Sequence, residues 1–248
     1  MNTTALLGLA ILAAAAGLLL VFAALQRSKP PVFRAIASFG NLRRAIGLAV
    51  EDGTRLHFSL GRGGVTTPFS AAGFAGLSML RRVAEVTSVS DRPPVVTSGD
   101  GALAALSQDT LRSSYKAASA DERYDAQTGR MTGLTPFSYA AGALAVMRDE
   151  SVSANVLAGS FGIEVALMID AAERDSSFSL VASDNLPAQS VLYASTPNPL
   201  IGEELYAAGA YVQAGPLHAA SLSTQDVLRW GIIVIILGGA LLKLVGVL

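Results

Sequence analysis

The residues best suited to chemistry lie in short turns that follow apolar runs of strand length. The first turn is Gly61-Arg62-Gly63-Gly64, which comes directly after residues 55–60. Its free amides and its guanidinium could hold a phosphate. The turn departs from the dinucleotide fingerprint, because Thr66 stands where a third glycine belongs, and it lacks the Gly-Lys-Ser/Thr of a P-loop. A plain glycine turn without a ligand is therefore the alternative interpretation.

A second turn, Thr97-Ser98-Gly99-Asp100-Gly101, follows the apolar run at residues 94–97. Asp100 could accept a hydrogen bond from a ribose hydroxyl or bind a metal, or it could simply cap the next helix. In parallel α/β sheets, ligands bind beyond the carboxyl ends of the strands. The two turns together predict a ligand-binding set, whose members are Gly61, Arg62, Gly63, Ser98 and Asp100.

A third turn, Ala158-Gly159-Ser160-Phe161-Gly162, is a candidate for nucleophilic catalysis. A small-x-Ser-x-small turn between a strand and a helix is how a nucleophile elbow exposes its serine. His218 would take the proton from Ser160, and Asp184 would orient the imidazole. However, Ala158 replaces the first glycine of the motif, and His218 lies eleven residues before Arg229 at the predicted membrane edge. The alternative is that Ser160 and Asp184 cap helices and that His218 is a surface residue.

The composition excludes several other kinds of functional site. Because the chain has no cysteine, it has no disulfide, no thiolate nucleophile and no cysteine-bound metal. Its two histidines, His57 and His218, are too few for a histidine-built metal site. We therefore predict no metal site and no cofactor.

The elements that must position these turns alternate between strand and helix. Apolar runs of strand length lie at residues 94–97, 154–158 and 178–182. Helical spacing of apolar residues follows at residues 69–89, 102–118, 137–149, 163–174, 188–194 and 201–212. This alternation predicts an α/β fold with a mainly parallel, Rossmann-like sheet that is covered by helices.

The start of this domain has a different pattern. Residues 46–50 and 55–60 predict the two strands of a hairpin, joined by a turn that contains Gly53. Farther along, Thr67-Pro68 and Thr135-Pro136 each place a threonine as an N-cap with proline at the first helical position. We expect a helix to begin at each of these two pairs.

An apolar run at each end of the chain, uncharged in the first run and with the single charge of Lys243 in the second, predicts a transmembrane helix. Residues 4–25 give about 33 Å of helix, enough for a hydrocarbon core of about 30 Å, and the C-terminal run is just sufficient. A cleaved signal peptide is the alternative for the first run, but no basic residue precedes it. The Lys29-Pro30-Pro31 break ends this helix. The predicted order is transmembrane helix 4–25, basic linker 26–45, α/β domain 46–226 and transmembrane helix 229–248.

Basic residues follow the first span, and an excess of Lys and Arg near a span faces the cytoplasm. They are Arg27, Lys29, Arg34, Arg43 and Arg44. We therefore expect a bacterial inner-membrane protein with both termini outside the cytoplasm and the α/β domain inside it. Residues 1–82 hold nine basic and two acidic side chains, whereas residues 83–228 hold seven and seventeen. This basic collar should attract anionic lipid headgroups, and the acidic remainder argues against nucleic acid as a partner.

Glycines in the second span predict self-association. Lipid tails are as apolar as leucine, so helices associate in a bilayer through close packing, which small residues permit. Pairs of glycines seven residues apart fall on nearly one helix face, and the residues are Gly231, Gly238, Gly239 and Gly246. We therefore expect a homo-oligomer, with other membrane subunits as further partners.

Three segments of the chain carry a resemblance to a known group of proteins. They are residues 183–193, beginning Ser183-Asp184-Asn185-Leu186-Pro187; residues 199–205, beginning Pro199-Leu200-Ile201-Gly202; and Gln225-Asp226-Val227-Leu228-Arg229-Trp230. These segments resemble uncharacterised bacterial membrane proteins, found notably in green non-sulfur bacteria, that pair terminal spans with one soluble α/β domain. The resemblance runs through most of residues 33–230. It implies this layout, and it does not indicate an activity.

The sequence leaves three functions open. The leading hypothesis is a non-enzymatic, membrane-anchored scaffold that self-associates through its spans. The second is a module that binds a nucleotide or another anion at the strand-end turns near Arg62, Ser98 and Asp100. The third is a membrane-bound serine hydrolase that uses Ser160.

Overall fold

The computed structural model describes residues 3–27, 31–67 and 70–246. Lys29 and Pro30 of the predicted break, and Pro68 of a predicted helix start, lie outside the described residues. The chain divides into a terminal unit (Met1–Phe33 with Gly215–Leu248) and a central unit (Arg34–Ala214). The helices and strands, in chain order, are α1 (Thr3–Leu25), α2 (Ala37–Glu51), β1 (Arg55–Gly61), α3 (Ser70–Thr87), β2 (Val95–Ser98), α4 (Gly101–Ala117), β3 (Gly129–Met131), α5 (Pro136–Asp149), β4 (Val152–Ser160), α6 (Val165–Arg174), β5 (Phe178–Ser183), α7 (Leu186–Ser195), β6 (Pro199–Leu200), α8 (Glu204–Tyr211) and α9 (Pro216–Leu244).

The terminal unit contains two long apolar helices, α1 and α9. Their most apolar windows have mean hydropathies of 2.7 and 2.0, and no residue in those windows is buried. Both helices are long and apolar enough to cross a membrane. They contact each other, and Gln26 Nε2 donates a hydrogen bond to Ser223 Oγ at 2.7 Å. Helix α9 begins well before the predicted span, and Ala220 and Thr224 near its start are buried.

The central unit contains a parallel sheet, whose six described strands lie in the order β3-β2-β1-β4-β5-β6. Every neighbouring pair is parallel. This arrangement confirms the predicted α/β fold with a parallel sheet. The same order is typical of doubly wound dinucleotide-binding folds, in which the chain starts at the centre of the sheet and winds outward in both directions.

Alternation along the strands gives the sheet two covered faces. In β1, Leu56, Phe58 and Leu60 lie in one core, whereas His57 and Ser59 bond to side chains on the other face. Helices α2, α3, α4 and α8 cover the first face, and α5, α6 and α7 cover the second. The helices that follow β1 and β4 therefore lie on opposite faces of the sheet.

The predicted hairpin at residues 46–60 is wrong in its first half. Residues 46–50 belong to helix α2, and only the second run forms a strand, β1. The buried apolar residues of α2 recur at helical spacing. This spacing is visible only when the residues before 46 are included. These buried residues are Phe39, Leu42, Ala45, Ile46 and Ala49. Helix α2 also runs across residue 45, where the sequence predicts the border between linker and domain.

The other predicted helices and strands are present. Thr135 caps α5 as expected, because its hydroxyl accepts from Ser138 N and Pro136 occupies the first turn. Strands β3 and β6 are absent from the sequence prediction. With three and two residues, these edge strands are too short to show a period of two.

Candidate functional site

The middle of the sheet is its topological switch point. Strands β1 and β4 lie side by side, but the chain leaves β1 toward α3 on one face and leaves β4 toward α6 on the other. In open α/β sheets, such diverging loops leave a crevice beyond the carboxyl ends of the strands, and ligands bind there. The first predicted turn, residues 61–64, lies on the β1 side of this crevice.

Backbone hydrogen bonds fix the start of that turn. Gly61 O accepts from Gly99 N at 2.9 Å, and Arg62 N donates to Ser160 O at 2.9 Å. Gly61 has a φ of 72°, and a Cβ at this position would lie 2.2 Å from Ser160 O. Only glycine fits here without movement of the backbone. The ends of β2, β1 and β4 are therefore held in one fixed arrangement.

The next four amides of the turn have no acceptor. Among the described residues, none accepts a hydrogen bond from the N–H groups of Gly63, Gly64, Val65 and Thr66. Gly63 is buried, where an unpaired amide is unfavourable. Successive free amides in a turn form the concave sites that hold phosphate and other anions. The amides of this turn are therefore available to donate to an anion, and Gly63 is the buried residue among the four.

Arg62 lies across the same crevice. Its Nε donates to Glu164 Oε1 at 3.2 Å, and Gly162 N donates to the same oxygen at 2.9 Å. The Glu164 side chain is 2% exposed, whereas that of Arg62 is 28% exposed. Gly99 makes room for Arg62, because a Cβ on residue 99 would lie 2.4 Å from Arg62 Cγ. The guanidinium is thus anchored through Nε, and its terminal nitrogens have no partner in the part of the chain that the structure describes.

Ser98, the last residue of β2, and Asp100, two residues beyond it, take part in local structure. Ser98 Oγ donates to Asp100 O at 2.6 Å and accepts from Asp100 N at 3.1 Å. Asp100 Oδ1 accepts from Leu103 N at 2.9 Å, so the cap that was the alternative interpretation is present. Asp100 Oδ2 lies beside the first turn, since a Cβ on Gly64 would be 3.4 Å from it. The two predicted turns are therefore neighbours.

A metal at Asp100 has little support from its surroundings. Across residues 3–27, 31–67 and 70–246, no group of three or more His, Cys, Asp or Glu side chains could hold a metal ion. A hard cation needs several oxygen ligands from the protein or the substrate. Asp100 therefore belongs to no such group within the described residues.

Buried polar side chains lie along the sheet on the side of α5. His57 is fully buried, its Nδ1 bonds to Asn155 Oδ1 at 2.9 Å, and its Nε2 bonds to Thr97 Oγ1 at 2.8 Å. An amide oxygen only accepts hydrogen bonds, so Nδ1 carries the proton and Nε2 accepts from the threonine. His57 is therefore a neutral, structural histidine at the centre of the sheet.

Tyr139 of α5 connects these polar groups to the turn. Its hydroxyl forms a hydrogen bond with Ser59 Oγ and accepts one from Gly61 N at 3.2 Å. Burial raises the pKa of Tyr139, so the hydroxyl keeps its proton. The hydrogen bonds of Tyr139 to β1 were not predicted from the sequence. The signal for them is the alternation of polar and apolar residues in β1, which indicates polar side chains on one face of the strand.

We expect the imidazole of His57 to stay neutral in the folded protein at pH 5. Burial lowers its pKa to about 4, with the Asn155 hydrogen bond opposing this effect. The unfolded chain binds the proton near pH 6.5, so the free energy of unfolding falls by up to about 3 kcal/mol as the pH drops from 6.5 to 4. An NMR titration of His218→Gln, which leaves a single histidine, measures this pKa. A folded-state transition near pH 6.5 would contradict the prediction.

The structure brings together two members of the predicted triad. Ser160 ends β4 and Asp184 follows β5; burial raises the pKa of Asp184, and a hydrogen bond with Ser160 opposes this effect. The triad needs an imidazole between the serine and the carboxylate, but Asp184 Oδ1 is buried without a hydrogen-bond partner among the described residues. His218 belongs to α9 of the terminal unit. Both ring nitrogens of His57, the histidine of the central unit, form hydrogen bonds with Asn155 and Thr97.

The predicted oligomer contacts lie on α9 and just beyond it. A Cβ on Gly231, Gly238 or Gly239 would meet no described atom within 4 Å. Gly246 lies past the end of α9 at Leu244, with a φ of 77°, so it does not share the helix face. Self-association through these glycines stays a prediction.

Comparison with known proteins gives this chain a family. No curated protein and no solved structure matches it. The model of a family described as a domain of unknown function (DUF6754) matches residues 1–248. The predicted resemblance to an uncharacterised family is confirmed at this level. The chain therefore belongs to the DUF6754 family.

Proposed function

We propose that this chain is a membrane-anchored module that binds a nucleotide at the crevice between β1 and β4. The observation that carries the proposal is the run of free amides from Gly63 to Thr66, placed beside Arg62 at the switch point of a doubly wound sheet. The amides and the terminal nitrogens of Arg62 bind the phosphates. This is the second of the three functions that the sequence leaves open.

The ribose occupies the neighbouring strand end in this proposal. In doubly wound dinucleotide-binding folds, an acidic residue that follows the phosphate turn by about 20 positions accepts a hydrogen bond from a ribose hydroxyl. Here Asp100 occupies the end of β2, and its Oδ2 faces the turn while Oδ1 caps α4. Asp100 follows Gly61 by 39 positions, which departs from the usual spacing of that fold. A nucleoside phosphate therefore fits the two turns better than a free anion does.

The setting of this module is part of the proposal. We propose that the protein lies in a bacterial inner membrane with its central unit in the cytoplasm, where nucleotides are abundant. The two apolar terminal helices and the basic residues after the first span support this setting. The basic collar then meets anionic headgroups. Both termini lie outside the cytoplasm in this arrangement.

We expect Asp100→Asn to weaken ADP binding about tenfold and to leave the binding of inorganic phosphate unchanged. Asparagine is as good an N-cap as aspartate, so α4 stays capped while the charge that accepts the ribose hydrogen bond is lost. Isothermal titration of the full chain in non-ionic detergent measures both affinities. Asp109→Asn, at an exposed position of the same helix, is the matched control.

Two results would overturn this function. The first is the absence of ADP binding at millimolar concentration in the wild-type protein. The second is equal ADP affinity for the wild-type protein, Asp100→Asn and Asp109→Asn, since the ribose would then not contact Asp100.

A further inference from the structure

A cavity of about 490 Å³ lies on the first face of the sheet, between α2, α3 and the end of α8. Its volume is within the range of about 300–1,000 Å³ that is usual for small-molecule sites. The cavity lies beside Val83 and Val86 in the last turns of α3, whereas the switch point precedes Ser70 at the start of that helix. Thirteen residues of helix, about 20 Å, separate Ser70 from Val83. The cavity is therefore distinct from the proposed nucleotide site.

The walls of this cavity are apolar. Leu42, Ile46 and Val83 are buried side chains that line it. The rings of Phe39 and Tyr211 stack in parallel with their centroids 4.8 Å apart, and both also line it. Against these apolar side chains a polar ligand would lose hydration without gaining hydrogen bonds. The walls therefore fit a hydrocarbon chain.

The cavity also carries positive charge. Arg43 of α2 lines it, is exposed, and has no acidic partner within the described residues. Arg82 lines the other side and bonds to Glu85 Oε2 at 3.2 Å, but the same carboxylate is shared with Arg81. The two arginines of α3 and Glu85 leave one net positive charge, to which Arg43 adds a second. An anionic head group would thus be attracted to the same place as the hydrocarbon chain.

We infer that this cavity binds a long-chain fatty acid, with the chain between α2 and α3 and the carboxylate at Arg43 and Arg82. The apolar walls select the chain, and the two guanidinium groups select the anionic head. A neutral hydrocarbon would use only the walls, and a free anion would use only the arginines. A fatty acid uses both features at once.

Gly47 allows the cavity to be filled without damage to the fold. It lines the cavity, and apart from the backbone of its own helix a Cβ at this position would meet no described atom within 4 Å. Leucine at residue 47 therefore takes up the space of the ligand. Gly40 lies on the same helix, outside the cavity lining, and its Cβ position is equally open. Gly47→Leu and Gly40→Leu are thus a matched pair. Both replace a helical glycine, but only the leucine at residue 47 enters the cavity.

The test uses the full chain in phosphatidylcholine nanodiscs with palmitic acid that carries a photoreactive diazirine, followed by mass spectrometry of the labelled peptides. We expect labels on peptides that contain Leu42 and Val83. Labelling should fall at least tenfold in Gly47→Leu and stay at the wild-type level in Gly40→Leu. Labels confined to α1 and α9, or equal labelling of the two leucine variants, would overturn the inference.

A second comparison tests the head group. The same diazirine on hexadecanol should label the cavity about tenfold less than the acid does, because the alcohol has no charge for the arginines. Arg43→Gln should remove most of this difference, and Arg44→Gln, on the same helix but outside the cavity lining, should retain it. Equal labelling by acid and alcohol in the wild-type protein would overturn the assignment of an anionic ligand.

Discussion

Replacement of Gly76 by alanine is expected to lower the free energy of unfolding of the central unit by about 3 kcal/mol or more. A Cβ at residue 76 would lie 2.2 Å from Ala158 O and 2.9 Å from Leu60 Cδ2. Helix α3 thus packs directly on the backbone of β4, and the clash with a main-chain oxygen cannot be relieved by a rotamer change. The helix must move off the central strands, which separates the buried residues of α3 from the core.

Gly40→Ala is the matched control for this prediction. Gly40 is also a helical glycine, but a Cβ there meets no atom within 4 Å, so alanine should raise the free energy of unfolding by roughly 0.5–1 kcal/mol. All six tyrosines lie in the central unit, from Tyr115 to Tyr211, so near-UV circular dichroism follows its unfolding in urea. Equal midpoints for wild type and Gly76→Ala would show that α3 does not lie as close to β4 as described.

The contrast between these two glycines shows what the sequence hides. Gly40 and Gly76 both lie in helices, but Gly40 precedes Asn41 and lies four residues before Arg44, whereas Gly76 stands between Ala75 and Leu77. These neighbours indicate a polar and an apolar setting, but not how close a facing backbone lies. The close contact at Gly76 arises from β4, which lies about eighty residues farther along the chain. The backbone of β4 passes close to Gly76 and not to Gly40. Local periodicity predicts that α3 and β4 exist. The distance between them in space depends on tertiary packing, which local periodicity does not predict.

The same limit applies to the fold and the candidate site. The apolar runs predict β2, β4 and β5 and hence a parallel sheet, but the central position of β1 follows from pairing that no single segment encodes. For the site, strand-end turns at Gly61 and Asp100 could be found because the carboxyl ends of parallel strands meet at one edge. Glu164 could not be found, since it is one acid among nineteen acidic residues.

The pairing of Arg62 with Glu164 leads to the second large effect. We expect Arg62→Ala to lower the free energy of unfolding by about 2–3 kcal/mol, because removal of one partner leaves a buried carboxylate without its counter-charge. The Glu164 side chain is 2% exposed, and among the described residues it then keeps only the Gly162 N–H as a partner. The cost lies below the usual 3–5 kcal/mol for a fully buried pair, since Arg62 is partly in water, where screening weakens the bond.

Glu164→Gln should rescue much of this loss. Glutamine keeps an oxygen that accepts from Gly162 N and carries no charge, so the double variant Arg62→Ala with Glu164→Gln should be more stable than Arg62→Ala alone by about 1–2 kcal/mol. Arg81→Ala breaks an exposed pair with Glu85 and should change stability by less than about 0.5 kcal/mol. Urea unfolding, followed through the tyrosines, measures Arg62→Ala, Glu164→Gln, the double variant and Arg81→Ala.

The outcome of this cycle also decides how Arg62 can meet a phosphate. If Arg62→Ala is neutral, Glu164 does not depend on the guanidinium, and Arg62 is free to swing toward any anion in the crevice. If the expected coupling is found, Nε is committed to Glu164, and only the terminal nitrogens can approach a ligand. In that case the double variant remains folded but lacks the phosphate contact, so its affinity for ADP should fall about tenfold while its unfolding midpoint stays above that of Arg62→Ala.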